Sequence, residues 1–359
     1  MTADKDSLLE LVSAVSGDAY LKVEESFGDG FVRLRTSEAE RRQAKHDIRG
    51  VEDIVVELLR NARDARSQRM YVATTRDGDT RLLTIIDDGV GVPPEMHDKI
   101  FEPRVTSKLE TMVIDRWGVH GRGMALYSVR QNVESARILA SATHRGAAVQ
   151  ILSDCATLGE RADQSSWPHV ERDADGMARV TKGPHNIIRR VVEFACEHPE
   201  VDVFLGSPAE ILATLASLAR DSLDTRDLLF ADDLERLPVW QRPGAAADAA
   251  DLVGIARDIG LPVSERTAHR ILAGELVSLE SIAQLIHVDD EPTPASTPDI
   301  YRDRRGLKVH HTDLTEFRRE VTQAFDRLAE RYYLHLRGEP RIQVSRDGIT
   351  VRFEIDKED

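Results

Sequence analysis

The stretch VEDIVVELLRNARDARSQRMYVATTRDGDTRLLTIIDDGVG, residues 51–91, decides the fold of this chain. In its first part, apolar residues recur at three- and four-residue steps, the spacing that places them on one face of a helix. These residues are Val51, Ile54, Val55, Leu58, Leu59 and Ala62. The spacing predicts a long amphipathic helix that buries one stripe.

The second part of the stretch predicts two strands. Residues 70–75 and 81–87 are rich in apolar and β-branched residues, and they flank the pair Asp77-Gly78. An Asp-Gly pair between two such runs favours a hairpin turn. The predicted order is therefore helix, strand, turn, strand.

Three polar residues share one ridge of the predicted helix. Glu57, Asn61 and Asp64 are four and then three residues apart, so their side chains face one neighbouring space. Taken alone, this pattern is more typical of a solvated helix face. The glycine-containing segments that follow it favour a binding site instead.

The first of these segments is DDGVG, residues 87–91, in which the acceptor Asp87 ends a predicted strand and two glycines allow a close approach. The second is GVHGRG, residues 118–123, which precedes an apolar helical run. It predicts a glycine-rich turn that exposes backbone N–H groups at a helix N-terminus, an arrangement typical of phosphate binding. The chain has no GxxxxGK[ST] segment and no βαβ unit with a following acidic residue, which disfavours P-loop and Rossmann folds.

In this order, ELLRNARDA (57–65), DDGVG (87–91) and GVHGRG (118–123) resemble the N, G1 and G2 boxes of the GHKL superfamily. That superfamily comprises gyrase-type ATPases, the large heat-shock chaperones, histidine kinases and the mismatch-repair MutL family. The resemblance implies an α/β (α+β) fold, the Bergerat two-layer sandwich of helices on a mixed sheet. It also implies a site for ATP and Mg²⁺ within about residues 50–150.

The resemblance assigns roles to individual residues. Glu57 matches the general base of hydrolysing members, and Asn61 matches the ligand that holds Mg²⁺ through its side-chain oxygen. Asp87 matches the acceptor of the adenine amino group, beside Gly89 and Gly91 of the base pocket. The other expected ATP-binding residues, most of them in the phosphate loop, are Asp64, Lys108, Gly118, Val119, His120, Gly121, Arg122, Gly123 and Met124.

The segment KIFEPRVTSK, residues 99–108, resembles both the lid of MutL proteins and the F box of histidine kinases. We expect Lys108 or Arg104 to reach a phosphate, with solvated lid charges as an equally weighted alternative. Position 64 separates the two branches, because a histidine kinase would have lysine there, whereas Asp64-Ala65 resembles the hydrolysing branch. His46 is too near Glu57 to belong to a separate phosphoacceptor helix pair, so we expect an ordinary exposed residue.

Among hydrolysing members, the chain most resembles the B subunit of type IIB DNA topoisomerases, the topoisomerase VI kind. Residues 183–206 are similar to that family's closing helix, proline and edge strand. Residues 251–286 resemble its helix–two-turn–helix module, with a plain helical linker as the alternative. The resemblance implies an ATP-dependent homodimeric clamp that acts with a separate DNA-cleavage subunit and DNA. Two alternatives stay open: a histidine or serine kinase, and a nucleotide-binding signalling module without turnover.

Proline-containing stretches at 237–251 and 291–298 predict linkers. The expected organisation is an N-terminal dimerisation strap at 1–49, an ATPase domain at 50–236, a small helical module at 237–292 and a short C-terminal α/β segment at 293–359. In the last segment we predict a helix at 312–336 and strands at 341–345 and 349–355. Lys308 is a candidate for the family's phosphate-sensing lysine, although a surface lysine is the more frequent role.

Composition narrows the class of protein. A net charge of -15 disfavours a protein whose whole surface lies on nucleic acid or on an anionic membrane. Cys155 and Cys196 have no disulfide or zinc spacing, and we expect both to be reduced core residues. No apolar run approaches the roughly 20 residues that span a bilayer, so we expect a cytoplasmic protein without membrane contact.

Overall fold

The computed structural model describes residues 23–107, 113–115, 118–120, 123–172, 177–223, 234–286, 311–332, 334–336, 338, 340–345, 348–353 and 355–357. The chain divides into two compact units, Met1–Asp290 and Glu291–Asp359. Within the described residues, no helix is long and apolar enough to cross a membrane.

The first unit contains the α-helices α1 (Glu38–Asp47), α2 (Val51–Asp64), α3 (Ala125–Asn132), α4 (Ile187–Glu197), α5 (Pro208–Ser222), α6 (Ala249–Asp258), α7 (Glu265–Leu272) and α8 (Ile282–Leu285). Its short 3₁₀ helices are Pro94–Met96, Lys99–Phe101, Leu234–Arg236 and Val239–Ala245. Its strands are β1 (Val23–Gly28), β2 (Phe31–Leu34), β3 (Arg69–Asp77), β4 (Thr80–Asp87), β5 (Val105–Thr106), β6 (Val113–Asp115), β7 (Gly118–His120), β8 (Ser135–Ser141), β9 (Ala147–Asp154), β10 (His169–Arg172), β11 (Ala178–Lys182) and β12 (Asp202–Gly206).

A five-stranded mixed sheet is the centre of this unit, with the strand order β12-β3-β4-β9-β8. β12 runs parallel to β3, and the other neighbours are antiparallel. The predicted hairpin is confirmed: β3 pairs with β4 from Met70–Asp87 to Asp77–Thr80, and Gly78 turns the chain with a φ of 57°. The sheet and its helices confirm the expected α/β class.

Helix α2 lies on one face of the sheet, as its apolar spacing predicts. Its residues Ile54, Val55 and Leu59 are fully buried in a core that also contains Val72 and Val191. Each such side chain contributes about 1.5–3 kcal/mol by leaving water. Because this stripe faces the sheet, the rotation of α2 about its axis is fixed, and so is the direction of its polar ridge.

The second face of the sheet is also covered. Tyr71 and Ala73, which alternate with Met70 and Val72 along β3, pack in a separate core against helices α5, α6 and α7. The described part of the fold therefore has helices on both faces of the sheet. The contacts place residues 237–286 in the same compact unit as the sheet, and the four-segment division remains a prediction.

The predicted linker at 237–251 is wrong. Residues Val239–Ala245 form a 3₁₀ helix in which Val239 and Trp240 are buried. The guanidinium carbon of Arg69 lies 4.3 Å from the centre of the Trp240 ring. A short 3₁₀ helix tolerates the prolines that break longer helices, and the apolar side chains between them cover the sheet.

The closing segment follows its prediction. Asn186 caps α4 by accepting a hydrogen bond from the backbone N–H of Arg189 at 2.8 Å. Pro199 follows the helix, and β12 is the edge strand beside β3. Cys155 and Cys196 are free thiols, as expected, but they are half-buried and not core residues.

The second unit contains helix α9 (His311–Tyr332) and the strands β13 (Leu334–Leu336), β14 (Arg341–Ser345), β15 (Gly348–Arg352) and β16 (Ile355–Lys357). The predicted helix ends earlier than expected, because residues 334–336 pair with β16 as a strand. The rings of Phe325 and Phe353 stack with centres 4.5 Å apart. Lys308 and the predicted linker at 291–298 lie outside the described residues.

Candidate functional site

A cavity of about 660 Å³ lies beside the polar ridge of α2. We call it the main cavity. Its walls are α1, α2, residues 90–92, residues 105–107 and the start of α3. Two surfaces of different chemistry therefore meet there: a charged helix face and a glycine-containing helix start.

The structure brings the three predicted ridge residues together. Glu57, Asn61 and Asp64 all line the main cavity, because the buried stripe of α2 directs the ridge away from the sheet. The Asn61 side-chain nitrogen is buried and has no hydrogen-bond partner among the described residues. Since buried polar groups are normally paired, this amide is suited to a ligand within the cavity.

Two ion pairs hold charges on this ridge. Arg60 donates from Nη1 to Oε1 of Glu57 at 2.8 Å, and their side chains are 4% and 21% exposed. Arg63 donates to Oδ1 of Asp64 at 2.9 Å from one nitrogen and 3.1 Å from another. The expected general base is thus paired with a buried arginine of its own helix, which the sequence analysis did not anticipate.

An apolar slot adjoins the main cavity and shares Asn61 and Gly91 with it. Its walls include Ile85, Ile138 and Val149, and the carboxylate that lines it belongs to Asp87 at the end of β4. An apolar slot with one acceptor suits a flat aromatic ring that carries an amino group.

Hydrogen bonds fix the Asp87 carboxylate. Its Oδ1 accepts from the Ser67 hydroxyl at 3.0 Å and from the Gly89 backbone N–H at 2.8 Å, and the residue is 6% exposed. Ser67 lies two residues after the end of the predicted N box, and its hydroxyl was a sequence signal for a partner of Asp87.

The two glycines after Asp87 bring backbone segments into contact. A Cβ on Gly89 would lie 2.6 Å from the Ala65 carbonyl oxygen. A Cβ on Gly91, whose φ is 69°, would lie 2.1 Å from the Ala142 carbonyl oxygen. Real Cβ atoms do not approach so closely, so a side chain at either position requires the backbone to move.

The expected phosphate loop is described in part. Gly123 and Met124 line the main cavity, and α3 begins at Ala125 without a side-chain cap. The first N–H groups of a helix are natural anion donors. Lys108, Gly121 and Arg122 lie outside the described residues.

The prediction of one turn over residues 118–123 is wrong for its first half. Gly118, Val119 and His120 form β7, which pairs antiparallel with β6. The Val-Ile-Asp segment before them supplies the partner strand, so the backbone groups on that side of β7 are used in pairing.

Arg104, one of the two candidates for reaching a phosphate, is not among the residues that line the main cavity. Its guanidinium donates to the Glu40 carboxylate of α1, and its backbone N–H donates to the Gly123 carbonyl at 2.9 Å. Burial would raise the pKa of Glu40, but hydrogen bonds from Ser37 and the positive charge of Arg104 outweigh it and hold that pKa below its usual value. Arg104 therefore joins α1 to the last residue of the expected phosphate loop.

Other residues that the sequence analysis did not single out also line the two cavities. They are Arg60, Thr106, Ser107, Ile85, Leu126, Ile138 and Val149. His46, expected to be exposed, is exposed and lines the rim of the main cavity.

Comparison with known proteins identifies the class of domain that this geometry defines. Residues 46–155 match the family model "Histidine kinase-, DNA gyrase B-, and HSP90-like ATPase". A domain of the GHKL superfamily is therefore present, and it is an ATP-binding domain. The main cavity and the apolar slot lie within its boundaries, apart from a few residues before position 46.

Particular relatives were also found. The chain is 32% identical over 104 residues to the DNA mismatch repair protein MutL of Aquifex pyrophilus, covering 28% of this chain and 24% of the relative. It is 43% identical over 82 residues to the MutL protein of Thermus aquaticus, covering 23% and 15%. The matched segment thus spans about a quarter or less of these relatives.

A solved structure also matches, described as "Crystal structure of ShkA full-length in complex with AMPPNP". It covers 57% of this chain and 47% of that chain, with 14% identity and a TM-score of 0.23. At that TM-score the likeness carries no argument about the fold.

Proposed function

We propose that this chain is a Mg²⁺-dependent ATPase that forms a homodimeric clamp when ATP is bound and acts with a DNA-processing partner. The observation that carries the proposal is the position of Glu57 and Asn61. Both project from one helix ridge into a cavity that adjoins the apolar slot containing Asp87. A base, a metal ligand and a nucleobase acceptor thus surround one space.

ATP binding follows from the chemistry of the two ends of the cavity. The adenine ring fits among the apolar side chains of the slot, where its amino group donates to Asp87. The phosphates lie toward the uncapped start of α3, whose N–H groups and helix dipole attract anions. The ribose spans the region of Gly91, which lines both spaces.

The residues present also fit a magnesium ion. Asn61 lines the main cavity with its amide side chain, and Mg²⁺ prefers a few protein oxygens together with phosphates and water. Asn61 would therefore hold the ion through its oxygen. The ion would neutralise charge on the phosphate oxygens during hydrolysis.

Glu57 is the group proposed to act on water. Its carboxylate orients a water molecule and accepts a proton as the water oxygen attacks the terminal phosphorus. The bond between that phosphorus and the bridging oxygen breaks, and ADP and inorganic phosphate result. Asp64, where a histidine kinase would have lysine, supports hydrolysis over transfer to a protein side chain.

The clamp proposal rests on the elements that precede the domain. Phe31 of β2 and Glu40 and Gln43 of α1 line the main cavity, so a bound nucleotide would touch the N-terminal segment. Such contact would couple nucleotide state to the surface that this segment presents. The resemblance to type IIB topoisomerase B subunits and the similarity to mismatch-repair MutL proteins both support a DNA-processing partner.

Phosphate release tests the catalytic proposal. Wild type is compared with Glu57→Ala in ATP and Mg²⁺, while light scattering follows dimerisation with a non-hydrolysable ATP analogue. We expect slow turnover by wild type, a loss of about a hundredfold or more in the variant and dimers with the analogue. Transfer of labelled phosphate to the protein would support a kinase instead. Tight ATP binding without turnover would support a signalling module.

A further inference from the structure

Arg60 is the feature of the cavity that the proposed function leaves unexplained. It lies three residues after Glu57 and directly before Asn61, on the side of α2 that faces the main cavity. Its side chain is 4% exposed, and its guanidinium donates to Glu57 at 2.8 Å. The pair therefore joins a buried cation to the residue proposed to activate water.

Stability alone gives a weak reason for a buried arginine at this position. An ion pair removed from water usually gains little over apolar side chains of similar size, because desolvation offsets the attraction. The neighbours Leu58 and Leu59 already supply apolar burial on the sheet side of α2. A buried charged pair at the wall of a cavity is therefore a candidate for a role in binding.

The charges around the main cavity indicate the ligand. Its described lining contains the carboxylates Glu40, Asp47, Asp53, Glu57 and Asp64. Among the described lining residues, the arginines are Arg49 and Arg60, and Arg49 is exposed. A triphosphate entering this acidic space needs cations, and the planar guanidinium of a buried arginine binds phosphate oxygens with two parallel hydrogen bonds.

We propose that Arg60 is the group that senses the terminal phosphate of ATP. Before ATP binds, Arg60 is held by Glu57. When the terminal phosphate arrives, Arg60 donates to it and leaves Glu57, whose carboxylate becomes available to orient water. ADP lacks that phosphate, so the Glu57–Arg60 pair stays closed. The sensing cation would thus belong to the same helix as the base.

This inference rests on the proposed function, and it makes a prediction specific to the third phosphate. Calorimetry with Mg²⁺ would compare the non-hydrolysable analogue AMPPNP with ADP. For Arg60→Gln, we expect the analogue to bind about tenfold to a hundredfold more weakly, the range for a lost charged hydrogen bond, and ADP affinity to change less than about twofold. Arg60→Lys keeps the charge but loses the paired geometry, so an intermediate loss is expected.

Two controls separate sensing from a structural role. Arg49→Gln removes the exposed arginine of the same cavity, and we expect a smaller loss with both nucleotides. Glu57→Gln releases Arg60 from its carboxylate, and we expect analogue binding to become tighter while ADP binding is unchanged. Thermal unfolding of every variant shows whether the fold is intact, and if Arg60→Gln does not fold, Arg60→Lys and Glu57→Gln carry the test.

The outcomes separate this inference from the proposed function. Equal losses for analogue and ADP in the Arg60 variants, or no loss for either, would overturn the sensing role while leaving ATP binding intact. Weaker analogue binding by Glu57→Gln would also contradict the sensing role, because it would mean that the Glu57–Arg60 pair maintains the binding site and does not compete with the phosphate for Arg60. If wild type binds neither nucleotide, the proposed function is wrong, and the sensing role is wrong with it.

Discussion

The two ends of the proposed nucleotide site, the base end at Asp87 and the phosphate end at Asn61, are built in different ways. At the base end, hydrogen bonds from Ser67 and the Gly89 backbone fix the Asp87 carboxylate. The backbone at Gly91 also lies so close to the Ala142 carbonyl that no side chain fits between them. At the phosphate end, the side-chain nitrogen of Asn61 lacks a partner among the described residues. The base end is thus preorganised, whereas the phosphate end is completed by its ligand.

This difference has a mechanistic consequence. A preorganised slot recognises ATP and ADP equally, because both carry adenine. Only the end that the ligand completes distinguishes the two nucleotides, so an ATP-driven change of state has to start there. Variants of the two ends should therefore differ in which ligands they affect, and in whether they affect the fold.

The largest effect is expected from Gly91→Ala. The new Cβ would lie 2.1 Å from the Ala142 carbonyl oxygen, at a φ of 69°. We expect the free energy of unfolding, measured in urea, to fall by about 3 kcal/mol or more, the combined effect of overpacking and backbone strain. Gly78→Ala is the matched control, since its φ is 57° and no atom lies within 4 Å of its Cβ.

For the control variant we expect a loss of only about 1 kcal/mol, the usual cost of a left-handed conformation for alanine. Similar losses for both variants would mean that Gly91 contributes conformational freedom alone. The base end would then be less tightly built than the contact to Ala142 indicates.

Asp87→Asn tests recognition at the base end. The amide keeps the size of the side chain but replaces an acceptor by a donor facing the adenine amino group. We expect ATP and ADP to bind about tenfold to a hundredfold more weakly, with equal losses measured by calorimetry. Ser67→Ala removes one hydrogen bond to the carboxylate and should give a smaller loss of the same kind. A loss restricted to ATP would contradict the assignment of this slot to the base.

Asn61→Ala tests the phosphate end through the metal. In the presence of Mg²⁺ we expect ATP affinity to fall about tenfold, the lower range for losing a metal ligand or its supporting partner. In EDTA, wild type and variant should bind ATP alike, because the ion that the residue holds is then absent. Equal losses with and without Mg²⁺ would instead indicate that Asn61 contacts the nucleotide directly.

Much of the base end could be predicted from the sequence. Its elements are local: a helix with a clear apolar stripe, a hairpin with an Asp-Gly turn, and glycines next to Asp87. Each of these patterns depends on residues that are close in sequence. The GHKL resemblance rests on the same segments, and the family match over residues 46–155 confirms it.

Packing between distant segments could not be predicted in the same way. The 3₁₀ helix Val239–Ala245 resembles a linker in sequence, because its prolines predict a break and nothing local indicates that Trp240 meets Arg69. A signal was present in β3 and β4, whose consecutive apolar residues do not alternate with polar ones and are typical of strands buried on both faces. The spacing of Glu57 and Arg60 allows them to pair on one helix, but it does not show that Arg60 is buried against the cavity wall.

The smallest expected effect concerns the tie between α1 and the phosphate end. The pKa of Glu40 is held below its usual value, because hydrogen bonds from Ser37 and the charge of Arg104 outweigh the effect of burial. A carboxyl whose pKa is lower in the folded state stabilises the fold at neutral pH. This contribution is complete above the unfolded pKa, about 4.3, and is lost as the pH falls through the folded value.

At pH 7 we therefore expect Glu40→Gln to lower the free energy of unfolding by about 1 kcal/mol or less, as for a helix cap or a partly exposed ion pair. The difference from wild type should shrink as the pH falls below about 4. Glu38→Gln, an exposed glutamate in the same first turn, is the matched control and should show a weaker pH dependence. If both variants follow the same pH curve, the helix dipole accounts for the effect. Arg104 would then not tie α1 to the phosphate end, and contact with the nucleotide itself would remain the route by which ATP acts on the N-terminal segment.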